Sequence, residues 1–422
     1  MTESEYVAFK QLPVNQNKKE FWFKNELGRN PYYKEKTLYI PIEMLNSNYF
    51  CQSTNNYKPI NEEREEKTRV NLLKNLLTKE PSGLVNIGGV CYMNAVLQCF
   101  FHCRPLTNYF LNLDNAMKNS LGLVSNGYYE LVKGLSLGDS RAAFKFKQAM
   151  ISTDDTFVGN EGKDSKDVAI LILTELHNEL KENDNSFLYY DNKVNPYDKV
   201  AVFNEKEKLE KINGNNTIIS DTFHFLVLYE QQCRLDCKNY FKTLYSVETE
   251  NIIIFELEKI YNDIHKNNYS YQRYISVQEC LEHYISKEII DCPFCKMKSL
   301  KIRKSFCKLP KIFIFVLSRG LNAQFDCNII FKNQLDMKPY YEPINGQYKD
   351  NNTNYELIGA TFAYDWSHRG DGHTVAFCKS YKSNGNYPQY YVFNDSSTRK
   401  TDIKEINGKT PYLLFYAKKN LN

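Results

Sequence analysis

Cys91 stands where a glycine-containing loop, GLVNIGGV, runs into a stretch of helical periodicity. Met93, Val96, Leu97, Phe100 and Phe101 fall at i, i+3, i+4, i+7 and i+8, one face of a helix. A helix N-terminus carries partial positive charge and unpaired N–H groups, which favour a thiolate over a thiol. The thiolate is the nucleophilic form, so Cys91 is a candidate for covalent chemistry. Such chemistry needs an imidazole within hydrogen-bond reach and a third group to hold its tautomer. The chain has seven histidines. His102, His177 and His283 lie on helical stretches, His224 begins a strand-like run, and His265 sits in a polar segment. His373 follows Gly370-Asp371-Gly372 and opens the alternating run HTVAF, a loop-to-strand junction suited to a cleft edge. The run YYVF ends in Asn394-Asp395, and two adjacent hairpin strands would bring Asn394 beside His373. His368 is a weaker rival for the base. Asn86, taken from the residues alone, reads as a turn residue capping the loop before Cys91.

A second constellation is made of cysteines. Cys233 and Cys237 form C-x3-C, and Cys292 and Cys295 form C-x2-C around Pro293. Two pairs at two-to-four-residue spacing suit a closed tetrahedral zinc site of four thiolates. The opposing reading is four reduced cysteines in a hairpin. The N-terminal residues MTESEYVAFKQL are polar and lack a secretory signal pattern. A cytoplasmic or nuclear location is the expectation, and there twelve cysteines are free, metal-bound or catalytic rather than disulfide-paired.

Residues 83–98, GLVNIGGVCYMNAVLQ, resemble the cysteine box of the ubiquitin-specific proteases, Gly-Leu-x-Asn-x-Gly-x-x-Cys-Tyr-Met-Asn-x-x-Leu-Gln. The matches are Gly83, Leu84, Asn86, Gly88, Cys91, Tyr92, Met93, Asn94, Leu97 and Gln98. Gly89-Val90 replaces the Asn-Thr or Ala-Thr that usually precedes the cysteine. Gly372, His373, Ala376, Phe393, Asn394 and Asp395 resemble the histidine box, with Thr374 in place of a tyrosine. Asp164 and Ser165 resemble the family's Gln-Asp-(Ser/Ala)-x-Glu box, with Lys163 for Gln and Asp167 for Glu. Leu309, Pro310, Leu317 and Arg319 resemble a strand of its palm.

The resemblance implies Cys91 as nucleophile, His373 as base and Asn394 as orienter. It makes Asn86 an oxyanion donor and Asp395 a second polar residue assisting the oxyanion or substituting as orienter. Asp164 and Asp167 would face the basic tail of ubiquitin, although both also suit ordinary helix N-capping. Cys233, Cys237, Cys292 and Cys295 would hold a structural zinc, and no cofactor would serve the chemistry. The implied activity is deubiquitination: hydrolysis of the isopeptide or peptide bond after ubiquitin's C-terminal glycine. Ubiquitin and ubiquitinated proteins would be the partners of a monomeric catalytic domain. A catalytically weak ubiquitin-binding scaffold and an isopeptidase for another ubiquitin-like modifier are the alternatives.

The elements that must position these residues are helices first and strands later, an α+β pattern. The resemblance makes it a papain-like fold with thumb, palm and fingers. Residues 1–82 read as an extension in which Val70, Leu73 and Leu77 lie at helical spacing ahead of Pro81. Residues 83–422 read as the catalytic domain, with the thumb about 83–220, the fingers about 225–300 and the palm about 301–418. A second helix is expected from Ser165 to Lys181, and residues 183–219 read as a long loop or insertion. The runs FHFLVLYE, NIIIFELE, KIFIFVLS, YELIGATFAY, HTVAFCKS and YYVFND read as strands. Composition is that of a globular chain, 42% hydrophobic and 25% charged, with net charge +4. That balance argues against nucleic acid as main partner, and no apolar run approaches a membrane span.

Overall fold

In the computed structural model, the described residues are 62–159, 162–181, 194–212, 216–235, 242–265, 273–320, 325–344, 350–363, 373–384, 387–406 and 410–419. One unit, Met1–Glu66, lies almost wholly outside them, and a second compact unit runs from Lys67 to Asn422. Helices come first: α1 (Glu62–Thr78), α2 (Cys91–Phe101), α3 (Arg104–Leu111), α4 (Asn115–Asn119), α5 (Leu123–Leu137), α6 (Ala143–Thr153), α7 (Ser165–Glu179), α8 (Lys199–Ile212) and α9 (Ile218–Phe223). The strands follow. β1 (Phe225–Cys233), β2 (Leu244–Glu250), β5 (Glu288–Asp291) and β6 (Lys298–Lys308) form an antiparallel sheet ordered β2-β1-β6-β5. β3 (Ile253–Glu256), β7 (Ile312–Ser318), β10 (Asn354–Ala363), β11 (Thr374–Asn384), β12 (Tyr387–Asn394), β13 (Ser397–Thr401) and β14 (Pro411–Lys418) form the large sheet, ordered β13-β12-β11-β10-β14-β7-β3. β9 (Gln334–Asp336) joins it beside β10. β4 (Tyr274–Ser276) pairs in parallel with β8 (Asn328–Ile330). The α+β expectation holds, with a helical thumb, a palm sheet and a smaller sheet of fingers.

β7 shows why the palm forms. Ile312 to Leu317 are all buried, the pattern of a strand covered on both faces. Successive side chains point to opposite faces. Ile312, Ile314 and Val316 join a core shared with the helices, while Phe313, Phe315 and Leu317 join a second core behind the sheet. β14 divides the same way, Leu413 and Phe415 against Leu414 and Tyr416. On the first face lies α2, whose residues Tyr92 to Phe101 are all buried. It packs on β10, β11 and β12 and is backed by α3 and α7.

Two boundaries differ from the sequence reading. The compact unit from Lys67 takes in part of the expected extension, because α1 buries Leu72 and packs Leu73 and Leu76 on the core. Val70 and Leu77 of the expected apolar stripe stay exposed. The stretch read as a loop from 183 to 219 contains α8, whose Phe203 is buried with Leu226, Leu228 and Val247. Its many Lys and Glu residues mask a narrow apolar stripe, and parts of the stretch, 183–193 and 213–215, lie outside the described residues. Finally, NIIIFELE yields only a short β3, which leaves the fingers stretch to pair in parallel with β7 of the palm; α10 (Leu257–Ile264) follows at once.

At the end of α2, His102 is buried and its Nδ1–H donates to the Gln98 carbonyl at 2.7 Å. Burial, with help from the Arg104 charge, lowers its pKa to about 4. A histidine depressed when folded takes up its proton more readily when unfolded, so folding stability is retained above about pH 6.5 and lost as pH falls toward 4. His102→Gln is expected to flatten this acid limb by about 1.4 kcal/mol per pH unit. Urea midpoints at pH 7 and pH 5 measure it; an unchanged difference between wild type and variant would count against this account.

Candidate functional site

Cys91 is the first residue of α2 and is half-buried. Val90, the residue before it, offers no side-chain cap, so the first-turn N–H groups have no intrahelical acceptor. The loop ahead is held by Asn86. Its Oδ1 accepts from Gly88 N at 3.2 Å and Val90 N at 3.1 Å. Gly88 and Gly89 both have positive φ, 102° and 58°, which glycine adopts without steric cost. The capping role that the residues alone indicated for Asn86 is therefore present. Its Nδ2 donates to Asp395 Oδ2 at 3.1 Å, which leaves one of the two amide hydrogens for another acceptor.

Asp395 joins this loop to the palm. It lies in the turn between β12 and β13 with φ 48°, a left-handed conformation that Asp tolerates better than most residues. Its Oδ1 accepts from Asn94 Nδ2 at 2.9 Å, and its carbonyl accepts from Leu84 N at 2.8 Å. Asn94, one turn along α2 from Cys91, also reaches the Leu84 and Val85 carbonyls at 3.3 and 3.4 Å. Gln98, a turn further, donates to Ser82 O at 3.0 Å. A Cβ added at Gly83 would sit 2.3 Å from the Asp395 carbonyl oxygen, so only glycine permits this approach.

Asn394 immediately precedes Asp395 and ends β12. Ala376 of β11 pairs with Phe393 of β12, which brings the start of β11 beside the end of β12. His373, just ahead of β11, donates Nε2–H to Asn394 Oδ1 at 2.5 Å. A carboxamide oxygen only accepts, so in the neutral ring Nδ1 keeps its lone pair. Nδ1 is then the atom able to take a proton. The β11 strand that follows lies directly on α2, where Cys378 Sγ is 3.9 Å from Cys99 Sγ. Asp395 therefore anchors the turn carrying Asn394, and through it His373, to the loop and helix carrying Cys91. Burial, with the neighbouring Cys91, pushes the Tyr92 phenol up to about 12, so Tyr92 stays protonated at neutral pH. His368 and Gly370 to Gly372 lie outside the described residues.

The two acids of the third motif are exposed, at the start of α7. Asp164 is the N-cap, accepting from Lys166 N at 2.8 Å. Its carboxylate also accepts from the Tyr412 hydroxyl, at 2.6 and 2.8 Å. Lys166 Nζ lies 3.9 Å from Asp164 and 3.4 Å from Asp167, so one local cation already faces both acids. No sequence signal marked Tyr412, which reaches Asp164 from β14. Lys147 is a second residue unmarked by sequence: from α6 it donates to the Ile87 and Gly88 carbonyls at 3.1 and 3.4 Å.

The cysteine constellation lies at the far end of the fingers. Cys233, Cys292 and Cys295 converge with their sulfurs within 4.8 Å of one another. Lys296, with φ 56°, turns the chain sharply between Cys295 and Met297. Ser299 Oγ sits 3.2 Å from both Cys233 and Cys295. Among the described residues, this satellite core holds, apart from the sulfurs, only Leu300 and the flanking Ile302. Three thiols converging on one point in so small a core form a group that can hold a metal ion. Cys237, the expected fourth ligand, lies outside the described residues.

A family model described as ubiquitin carboxyl-terminal hydrolase matches residues 82–416. Among curated relatives, ubiquitin carboxyl-terminal hydrolase 15 of Xenopus tropicalis is 31% identical over 195 residues, covering 43% of this chain and 19% of the relative. Ubiquitin carboxyl-terminal hydrolase 8 of Saccharomyces cerevisiae is 25% identical over 376 residues, covering 81% of this chain and 71% of the relative. The chain thus spans about a fifth of the first relative's length. A solved SAGA Ubp8/Sgf11/Sus1/Sgf73 DUB module bound to ubiquitin aldehyde superposes with TM-score 0.57 at 20% identity, covering 81% of this chain and 70% of the matched one. The fold is that of this structure's matched chain. With most of its length matched by the family model, the chain belongs to the ubiquitin carboxyl-terminal hydrolase family.

Proposed function

We propose that this protein is a deubiquitinating thiol protease that hydrolyses the bond after the C-terminal glycine of ubiquitin. One observation carries the reading: a single carboxylate, Asp395, links the loop before Cys91 to the turn that holds the His373–Asn394 pair. The relatives' names and the ubiquitin-bound neighbours support ubiquitin as substrate. Cys91 Sγ gives its proton to His373 Nδ1 and attacks the glycine carbonyl carbon. The carbonyl electron pair moves to oxygen, where the free Asn86 amide hydrogen and α2 N–H groups stabilise the charge. Collapse breaks the C–N bond, and His373 protonates the departing lysine or α-amine. Water then attacks the thioester, His373 takes its proton, and the thiol of Cys91 is released. Throughout, Asn394 holds Nε2–H and so keeps Nδ1 directed at the chemistry.

Asp164 and Asp167 would meet the basic tail of ubiquitin at the cleft, with Lys166 and Tyr412 moderating their charge. Cys233, Cys292 and Cys295, joined by Cys237, would hold a structural zinc. Soft thiolate donors favour that metal, and it would brace fingers that have little apolar core. The acting form would be a monomer in the cytoplasm or nucleus, where free thiols persist; its partners would be ubiquitin and ubiquitinated proteins.

Ubiquitin bearing an electrophilic C-terminus should label the wild-type chain covalently, and Cys91→Ala should abolish labelling. Binding without labelling by the wild type would favour a scaffold, and labelling only by another modifier would redirect the specificity. Asp395→Asn keeps the backbone conformation but loses one of two carboxylate acceptors. It should cost about 1–3 kcal/mol of stability, read as a lowered Tm, and should slow labelling. A variant as stable and as fast as wild type would discount the clamp. For the metal, one zinc per chain by elemental analysis is expected, lost in Cys292→Ser together with fingers stability. A metal-free preparation of full stability would argue against it.

A further inference from the structure

The segment between Asn86 and Cys91 poses a conformational problem. Gly88 and Gly89 are consecutive glycines at positive φ, and neither they nor Val90 carries a polar side chain. Glycine has several accessible backbone states, so this loop has little local reason to keep one shape. Asn86 Oδ1 restrains two of its N–H groups, those of Gly88 and Val90. The carbonyl side is restrained from elsewhere, by Lys147.

Lys147 stands on a firm base. Its neighbour Phe146 is fully buried and meets the Tyr128 ring of α5 edge-on, with centroids 6.0 Å apart. Gly127 of α5 lets α6 approach so closely that an added Cβ would lie 3.1 Å from Phe146 Cα. From this platform the half-buried ammonium of Lys147 donates to Ile87 O at 3.1 Å and Gly88 O at 3.4 Å. In a planar trans peptide the C=O and N–H point in opposite directions. Holding the Gly88 carbonyl toward α6 therefore turns the Gly89 N–H away from α6. That N–H has no acceptor among the described residues, although the amides on both sides of it are taken by Asn86.

We propose that Lys147 is a positioning residue for the reaction. By holding the Ile87 and Gly88 carbonyls, it fixes the loop so that the Gly89 N–H joins the donors facing the oxygen that becomes negative when Cys91 attacks. Lys147 touches neither substrate nor sulfur in this role; it acts through the backbone. It replaces from α6 the restraint that a polar side chain at position 89 or 90 would supply locally. The inference rests on Cys91 being the nucleophile.

The test uses the full chain with three readouts: hydrolysis of a fluorogenic ubiquitin C-terminal amide, inhibition by ubiquitin aldehyde, and binding of ubiquitin to a Cys91→Ala background. The aldehyde forms a tetrahedral adduct whose oxygen would sit among these donors. Removing one such donor outright costs about 10²–10³ in rate, so loosening it through Lys147→Met should lower kcat roughly tenfold to a hundredfold with KM nearly unchanged. The aldehyde inhibition constant should rise by a similar factor, while ubiquitin binding in the Cys91→Ala background stays the same. Lys147→Arg, which can still donate to both carbonyls, should recover most of the rate. A kcat for Lys147→Met within twofold of wild type overturns the proposal. So does parallel weakening of ubiquitin binding and aldehyde inhibition, the mark of a merely structural residue. Lys147→Gln, which keeps one donor, serves if the methionine variant does not fold, and it should fall between wild type and a full loss. A wild-type chain that neither cleaves the amide nor forms the aldehyde adduct sinks the nucleophile assignment and this inference together; an active wild type with a silent Lys147 sinks the inference alone.

Discussion

The carboxylate of Asp395 takes the side-chain amides of Asn86 and Asn94 at 3.1 and 2.9 Å, and its carbonyl takes the Leu84 N–H. Three pieces of chain are thereby tied: the loop before α2, the first turn of α2, and the β12–β13 turn. Asn394 is the adjacent residue, and His373 hangs from it. The turn that carries Asn394, and the His373 ring bonded to it, are thus referred to one charged acceptor on the loop and helix that carry Cys91. Hydrogen bonds to a charged partner are stronger than neutral ones, and this acceptor is only partly exposed. The left-handed φ at Asp395 and the absence of a side chain at Gly83 are the geometric conditions under which the carboxylate can reach both amides.

Close packing supplies the rest of the alignment. α2 is apolar nearly all round, and helices of that kind are buried on every side. It rests on the palm where the sheet offers small side chains. A Cβ at Gly359 would lie 3.3 Å from Cys99 Sγ, and Ala376 and Cys378 flank it on the neighbouring strand. These residues let helix and sheet approach closely, which sets the depth of Cys91 relative to the start of β11. Cys99, Cys103 and Cys378 are structural in this arrangement. Burial pushes the Cys103 and Cys378 thiols well above their ordinary range, which keeps them protonated and inert. Cys91, at the start of α2, is by contrast only half-buried.

Much of the site was legible because it is short-range. Asn86, Cys91, Asn94 and Gln98 sit at spacings set by a loop and the first two turns of a helix, and His373, Asn394 and Asp395 sit at the ends of two neighbouring strands. The palm strands were legible for the same reason, since alternation and unbroken apolar runs reflect a period of two. α8 was missed because tertiary burial of Phe203 among Leu226, Leu228 and Val247 makes a helix from a stretch whose local composition is that of a loop. α1 was legible from Val70, Leu73 and Leu77 at helical spacing, yet of these only Leu73 packs on the core, beside Leu72 and Leu76.

The sequence by itself determined which side chains are candidates for the chemistry, since a thiol at a helix start, an imidazole at a strand start, an amide and paired cysteines are matters of residue type and local spacing. Only the tertiary structure decided how they are held. The Asp395 bridge joins residues 301 and 309 positions apart, Tyr412 reaches Asp164 across 248, and Lys147 reaches Gly88 across 59. The physical reason is that such contacts form between elements brought together by burial of their apolar faces. That burial constrains position in space and leaves almost no periodic trace around a lone tyrosine, lysine or aspartate.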